Sequence, residues 1–110
     1  MRVTSFTHSG THDINEDCIN RTRKDGIYCF AVADGGGIGN GDIASNEAVN
    51  AILAAFEEAP AIAESSMQKY FDSAYEALHS KGMEDPIYDN MYASAVVLVT
   101  DGSKAIWGSI

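Results

Sequence analysis

A short apolar run that ends in an aspartate and a glycine-rich loop constrains the fold more than any other stretch of this chain. It covers residues 28–45, where the sequence reads YCFAVADGGGIGNGDIAS. A buried strand that stops at Asp34 places this carboxylate at the rim of a sheet. The glycines that follow let the backbone turn with positive φ and approach a ligand closely. Because a helical pattern begins directly after the loop, we expect a functional site at this strand-to-helix corner.

The composition excludes several classes of protein. The 110 residues suffice for one small domain with a modest core. The net charge of −9, from 16 acidic against 7 basic residues, disfavours nucleic acids and anionic membrane surfaces as partners but permits divalent cations. No apolar run is long enough to span a membrane, and the N-terminus lacks the apolar segment of a signal peptide. Since the two cysteines fit free thiols in a reducing compartment, we expect a cytoplasmic protein.

An Asp-Gly pair at residues 25–26 lies between two strand-like runs, residues 18–22 and 27–33. Asp-Gly in this setting is typical of a two-residue β-hairpin turn. The register of such a turn places Asp17 opposite Asp34. It does not place the two cysteines opposite each other, so we expect no disulfide between them.

The rest of the chain reads as two helices followed by two strands. Apolar residues at helical spacing begin at Ile43. A second helix is predicted from about Ser65 to Gly82, and its predicted core stripe comprises Met67, Tyr70, Phe71, Ala74, Tyr75 and Leu78. Residues 92–100 and 104–110 read as strands. This order predicts an α+β fold in which an antiparallel, sandwich-type sheet carries both helices on one face.

Both predicted helix starts carry residues that commonly cap helices. Asp42 or Ser45 is expected to cap the first helix. Ser65, with Gln68 three residues later, matches a capping box at the start of the second. These side chains would pair with the backbone groups that a first helical turn leaves without partners.

Two acidic clusters, Glu16-Asp17 and Asp34-Gly35, flank the open end of the predicted hairpin. Two carboxylates that face each other across strands repel unless a cation lies between them. Mg²⁺ and Mn²⁺ take oxygen ligands, which the Asp34 carboxylate and the Gly35 carbonyl can supply. Glu16 and Asp17 could bind directly or hold metal-bound waters. The residues alone leave open a plain turn at the first cluster and a flexible loop at the second.

Three sequence blocks occur in an order known from one enzyme family. They are Ser9-Gly10 with residues 15–17, residues 30–35 continuing through 41–45, and residues 92–98. In this order they resemble the S-x-x-G-x-R-x-x-N-E-D, V-x-D-G-x-G-G…G-E-x-A-S and G-[ST]-T-A motifs of the PPM (PP2C-type) metal-dependent serine/threonine protein phosphatases. The resemblance covers essentially all of residues 1–110, but only the N-terminal half of a family domain.

The resemblance implies a β-sandwich flanked by helices, with a dinuclear Mn²⁺ or Mg²⁺ centre at one end. By residue-wise correspondence, Asp34 would be the catalytic ligand that bridges both metals, and Gly35 would offer its carbonyl to one of them. Glu16 and Asp17 would hold metal-bound waters. A metal-activated water would then attack the phosphorus of a phosphoserine or phosphothreonine protein, without a phosphoenzyme.

The chain also departs from the family pattern. His12 stands where the family has its phosphate-contacting arginine, and an imidazole can donate a hydrogen bond but offers no bidentate fork. The glycine loop, residues 36–40, is about one residue shorter than the usual family loop. The remaining metal-binding aspartates belong to the C-terminal half. Since residues 106–110 have strand character and no stop signal, we expect this chain to be part of a longer domain, inactive by itself, unless a second chain completes the sheet.

Two other functions compete with the phosphatase hypothesis. One is a non-catalytic binding or regulatory module of the same fold, which His12 and the missing half favour. The other is a nucleotide-binding domain, because Gly39, Gly41 and Ala44 match G-x-G-x-x-A between a strand and a helix. Against it, no acidic residue closes a second strand some twenty residues on, as a dinucleotide site requires.

Overall fold

The computed structural model describes Thr4 and residues 6–8, 15–37 and 39–110. These residues form four strands and two helices, joined by turns and loops. They are β1 (Asp17–Lys24), β2 (Ile27–Gly36), α1 (Gly41–Glu58), α2 (Glu64–Glu84), β3 (Tyr92–Thr100) and β4 (Ala105–Ser109), with a 3-10 turn at Pro86–Tyr88. No helix in this part of the chain combines the length and the apolar character that crossing a membrane requires.

The four strands form one antiparallel sheet in the order β1-β2-β3-β4. Asp25 and Gly26 turn the first hairpin with φ of 55° and 77°, which is the positive-φ pair that a tight hairpin of this twist requires. The predicted register is confirmed, with Asp17 opposite Asp34. The predicted α+β fold with an antiparallel sheet and two helices is likewise confirmed. The described residues contain a single sheet, so a second sandwich layer is not among them.

Strand alternation gives the sheet two different faces. The inner face carries the helices, and its buried members are Cys29, Ala31, Ala33, Ala95, Val97 and Val99. The outer face points away from both helices and includes Asp17, Ile19, Arg21, Arg23, Tyr28, Phe30, Val32, Asp34, Tyr92, Ser94, Val96, Leu98, Trp107 and Ser109. The hydrophobic core therefore lies between the inner face and α1.

The apolar stripe of α1 packs on the inner face, as its periodicity predicts. Its buried members include Ala48, Val49, Ile52, Leu53 and Phe56. Helix α2 packs mainly against α1 and the 3-10 turn, and it meets the sheet chiefly at β4. Only Tyr70 and Ala74 of its predicted stripe are buried, and Tyr75 is 69% exposed. The prediction of a core role for Tyr75 is wrong because a helix packed on one neighbour buries a narrower stripe.

The predicted helix caps are not formed. Neither helix has a side-chain hydrogen bond from its N-cap residue, and the Ser45 hydroxyl donates instead to the Asp42 carbonyl. Gln68 donates to the Asp72 carboxylate along the helix at 2.8 Å. Helix α2 also continues past Gly82 to Glu84, since Gly82 does not adopt the positive φ that ends a helix.

Candidate functional site

Asp17 and Asp34 face each other at the open end of the β1–β2 hairpin. Both are exposed on the outer face, because their neighbours Cys18 and Ala33 point toward the helices. Directly opposed residues of antiparallel strands have β-carbons about 5 Å apart, a distance at which two carboxylates repel each other. A hard cation between them would remove this repulsion, since it takes carboxylate oxygens and keeps several of its own waters.

Glu16 lies at the same corner but on the other side of the sheet. Its backbone carbonyl accepts a hydrogen bond from the Gly35 N–H at 3.0 Å, which continues the β1–β2 ladder by one step. Its carboxylate contacts Gly41, the first residue of α1, where a β-carbon would otherwise lie. The unpaired N–H groups of a helix start favour a negative charge there. The side chain of Glu16 thus stabilises the start of α1, which lacks a side-chain cap.

Gly35 and Gly41 are glycines because two backbone segments approach each other closely. A β-carbon on Gly35 would overlap the Gly41 carbonyl and would lie 2.9 Å from the Ser45 nitrogen. The Gly35 carbonyl oxygen lies 2.9 Å from the place of a β-carbon on Gly41. This oxygen and the Glu16 carboxylate therefore flank the same α-carbon at the start of α1.

The four predicted site residues that the structure describes come together at one corner, in two pairs. Asp17 and Asp34 form a pair on the outer face, and Glu16 with the Gly35 carbonyl forms a pair beside α1. Within the described residues, no three or more histidine, cysteine, aspartate or glutamate side chains group closely enough to hold a metal ion. The fifth predicted residue, His12, lies outside the described residues.

Residues 87–92 hold the glycine loop in place, a role that the sequence analysis did not predict for them. The Tyr92 ring lies on Gly36, its partner in the β2–β3 register, where it occupies the space of a side chain. Gly37 adopts φ of 129° and packs on Asn90, and the Asn40 amide donates to the Ile87 carbonyl at 2.5 Å. The Tyr92 ring thus forms a wall beyond Asp34 on the outer face. Once the pairing of β2 with β3 is known, the position of Tyr92 opposite Gly36 follows from the register.

The structure gives no support to the nucleotide-binding alternative. Dinucleotide-binding folds place their glycine loop in a parallel βαβ unit. The described strands pair only antiparallel, and the helix after the loop leads to a second helix rather than to a parallel strand.

A cleft among the described residues lies away from the predicted site. It has a volume of about 460 Å³ and opens on the helix side, between α2 and the chain that enters β3. Its walls are mostly apolar, with Leu78, Met83 and Met91 among them. None of the predicted site residues lines it, so the cleft and the aspartate pair are separate features.

The two cysteines are free thiols, as predicted. Burial raises the pKa of both, and that of Cys29 to about 12. Cys18 also donates a weak hydrogen bond to the Asn46 side chain at 3.5 Å. Neither thiol is therefore an activated nucleophile at neutral pH.

No protein-family model and no curated protein sequence matches this chain. The likeness to the PPM phosphatases therefore depends on the three motif blocks and on the geometry of the corner that two of them form.

Proposed function

We propose that this chain forms the N-terminal half of a metal-dependent phosphatase domain of the PPM type, which hydrolyses phosphoserine and phosphothreonine in proteins. The observation that carries the proposal is the aspartate pair, Asp17 opposite Asp34, on the exposed end of a hairpin. Opposed carboxylates repel each other at this distance, and a cation bound between them would turn the repulsion into shared coordination. The free thiols of Cys18 and Cys29 support a cytoplasmic location.

The residues present fit part of a Mn²⁺ or Mg²⁺ site. Asp34 and Asp17 would hold the cation through carboxylate oxygens on the outer face. When bound, the metal supplies a nucleophilic water at neutral pH and neutralises charge on the phosphoryl oxygens. The Glu16 carboxylate, held against Gly41, fixes the position of β1 relative to α1 and can reach the site only through water. Close packing of Gly35 on Gly41 holds the strand end that carries Asp34.

The two carboxylates on the outer face are too few for a dinuclear centre, so this half by itself should bind Mn²⁺ weakly and be inactive. Isothermal titration of the chain with Mn²⁺ tests this. We expect millimolar binding that Asp34→Asn abolishes. Asp25→Asn is the matched control, because it removes the same charge from the far end of the same hairpin and should leave binding unchanged. Absence of binding at millimolar Mn²⁺, or a tight complex with two metals, would contradict the proposal.

A non-catalytic module of the same fold is the second candidate. The separation of Glu16 from the aspartate pair favours the non-catalytic module, because only the Asp17 and Asp34 carboxylates then face the same space. Hydrolysis of p-nitrophenyl phosphate in Mn²⁺ by the complete protein distinguishes the two. Activity that disappears with Asp34→Asn supports the phosphatase, and Mn²⁺ binding without turnover supports the module.

A further inference from the structure

The cleft on the helix side of the sheet is open because small residues line its floor. These residues come from α1, α2 and β3, and they are Ala48, Ala74, Ala93 and Ala95. Toward the other end of the inner face, larger side chains fill the space between sheet and helices, among them Val97, Val99, Ile52 and Phe56. The volume of about 460 Å³ falls within the range of about 300 to about 1,000 Å³ that is usual for binding pockets.

Large apolar side chains are exposed around the mouth of this cleft. Tyr75 and Met83 of α2 line the cleft and are 69% and 76% exposed. Ile87 is 61% exposed beside Tyr88 of the opposite wall, whose ring is held by the Lys81 ammonium group, 5.1 Å from the ring centre. Exposed apolar groups next to an open cleft are typical of an interaction surface, and methionine side chains adapt to irregular partners.

The mouth of the cleft is acidic. Asp89 lines the cleft, and Asp72 and Glu76 are exposed on the side of α2 that also carries Met83. From residue 72 to residue 92 the sequence has five acidic residues and a single basic one, which forms an ion pair of 3.9 Å with a glutamate of α1. The apolar cleft therefore has a surplus of negative charge along its border.

We propose that the cleft binds a basic, amphipathic segment of another protein. Such a segment lays its apolar face into a groove, here between α2 and the start of β3, and places lysine or arginine side chains against the acidic mouth. Exposed Tyr75 and Met83 extend the apolar surface beyond the cleft itself, which fits a peptide better than a small molecule. A second copy of this chain is disfavoured, because its cleft has the same acidic mouth.

The proposal does not depend on the metal site or on the phosphatase hypothesis. The aspartate pair lies on the outer face of the sheet, and the missing half of a phosphatase domain would have to cover that face to complete the metal site. The cleft opens on the opposite side of the sheet, where the helices lie. A partner in the cleft and the rest of such a domain therefore occupy different surfaces.

Fluorescence anisotropy with a labelled probe peptide tests the proposal. The probe has about 14 residues, roughly four turns of helix, with leucines on one face and lysines on the other. We expect it to bind the 110-residue chain with a dissociation constant in the micromolar range. A peptide with serine in place of leucine, and one with glutamate in place of lysine, should each bind at least about tenfold more weakly.

Two variants of the chain locate the binding surface. Met83→Gln removes an apolar side chain at the mouth without a change of charge and should weaken binding at least about fivefold. Trp107→Gln is the matched control, because it removes an apolar side chain that is 71% exposed on the outer face and should leave binding unchanged. Ala93→Leu fills part of the floor and should weaken binding as well. Far-UV circular dichroism and a cooperative melt check that each variant folds, and Met83→Gln decides if Ala93→Leu does not.

Asp89→Asn tests the acidic mouth. It should weaken binding about threefold at low salt and have no effect at about 1 M salt, where the screening length falls to about 3 Å. Asp25→Asn removes the same charge at the β1–β2 turn, at the other end of the sheet, and should have no effect.

Four results would overturn the proposal. They are no binding of the probe, equal binding of the serine peptide, equal weakening by Met83→Gln and Trp107→Gln, and displacement of the probe by phenethylamine at similar concentration, which would assign the cleft to a small molecule. Repetition with the complete protein separates one further occupant. A probe that binds the 110-residue chain but not the complete protein would show that another segment of the same protein fills the cleft, which also contradicts the proposal.

Discussion

Asp17 lies directly across from Asp34, each at the same end of its strand in the β1–β2 hairpin. The Asp-Gly turn at the other end of the hairpin fixes this register. A slip of β1 by one residue would move the Asp17 side chain to the inner face and separate it from Asp34. The turn thus determines that two like-charged side chains lie opposite each other.

Removing one of these charges should stabilise the metal-free protein. Asp34→Asn keeps the shape of the side chain and removes the repulsion from Asp17. We expect a gain of about 0.5 kcal/mol in the free energy of unfolding, the usual scale for opposed side chains. Urea denaturation in the presence of a chelator measures it. Added Mn²⁺ should then stabilise the parent chain more than the variant, and equal stabilisation of both would argue against a cation between the two aspartates.

The two close glycines should differ in their tolerance of a methyl group. A β-carbon on Gly35 meets the backbone of Gly41, which cannot move without displacing α1. We expect Gly35→Ala to cost about 3 kcal/mol or to prevent folding. A β-carbon on Gly41 meets the end of the flexible Glu16 side chain, so Gly41→Ala should cost less. Denaturation of both variants compares them.

A double-mutant cycle identifies the cause of the loss at Gly41. Glu16→Ala removes the carboxylate that the new methyl group would displace. Gly41→Ala should therefore be less destabilising in the Glu16→Ala background than in the parent. In both backgrounds the better helix propensity of alanine, about 1 kcal/mol relative to glycine, offsets part of the cost. An unchanged cost in the two backgrounds would show that the Gly35 carbonyl, and not Glu16, limits the approach.

The sequence predicted the aspartate pair because local turn chemistry determines a hairpin register. It grouped Glu16 with Asp17 because the two are adjacent, although adjacent strand residues point to opposite faces. Applied to Glu16, this period of two would have placed Glu16 and Asp17 on opposite faces of the sheet. Tyr92 was missed for a different reason. Its contact with Gly36 depends on the pairing of β2 with β3, which are separated in sequence by both helices, and no local pattern specifies such a pairing.

The same limit applies to α2. Its periodicity correctly predicts a helix with Tyr70 and Ala74 toward the core. Periodicity does not show how much of the helix surface the neighbouring elements will bury. The inner face of the sheet is occupied by α1, so α2 packs on α1, and Tyr75 stays exposed beside His79, with their rings stacked at 6.1 Å.

The β3–β4 turn should respond to acid through Asp101. Backbone N–H groups of Lys104 and Ser103 donate to its carboxylate at 2.9 and 2.8 Å and lower its pKa from the ordinary 3.8. A lowered pKa means that the stabilisation is present above pH 3.8 and is lost as the pH falls through the lower value of the folded state. Asp101→Ala should therefore reduce the melting temperature at pH 7, and the difference from the parent should shrink as the pH falls below 3.8. A difference that stays constant with pH would point to a role of the side chain other than its charge.

Cys29 should make the protein sensitive to alkali. Burial raises the pKa of its thiol from 9.0 to about 12, so only the unfolded chain loses this proton between these values. Stability is therefore fully retained below pH 9 and falls as the pH rises toward 12, by at most about 1.4 kcal/mol per pH unit from this group. Tyr70, whose pKa burial also raises, contributes with the same sign.

Denaturation of the parent and of Cys29→Ala at pH 7 and pH 10 isolates the effect of the Cys29 thiol. We expect the variant to be less stable at pH 7, because it leaves a small cavity, and to lose less stability between the two pH values. An equal loss in both proteins would mean that Cys29 ionises in the folded state as readily as in the unfolded chain.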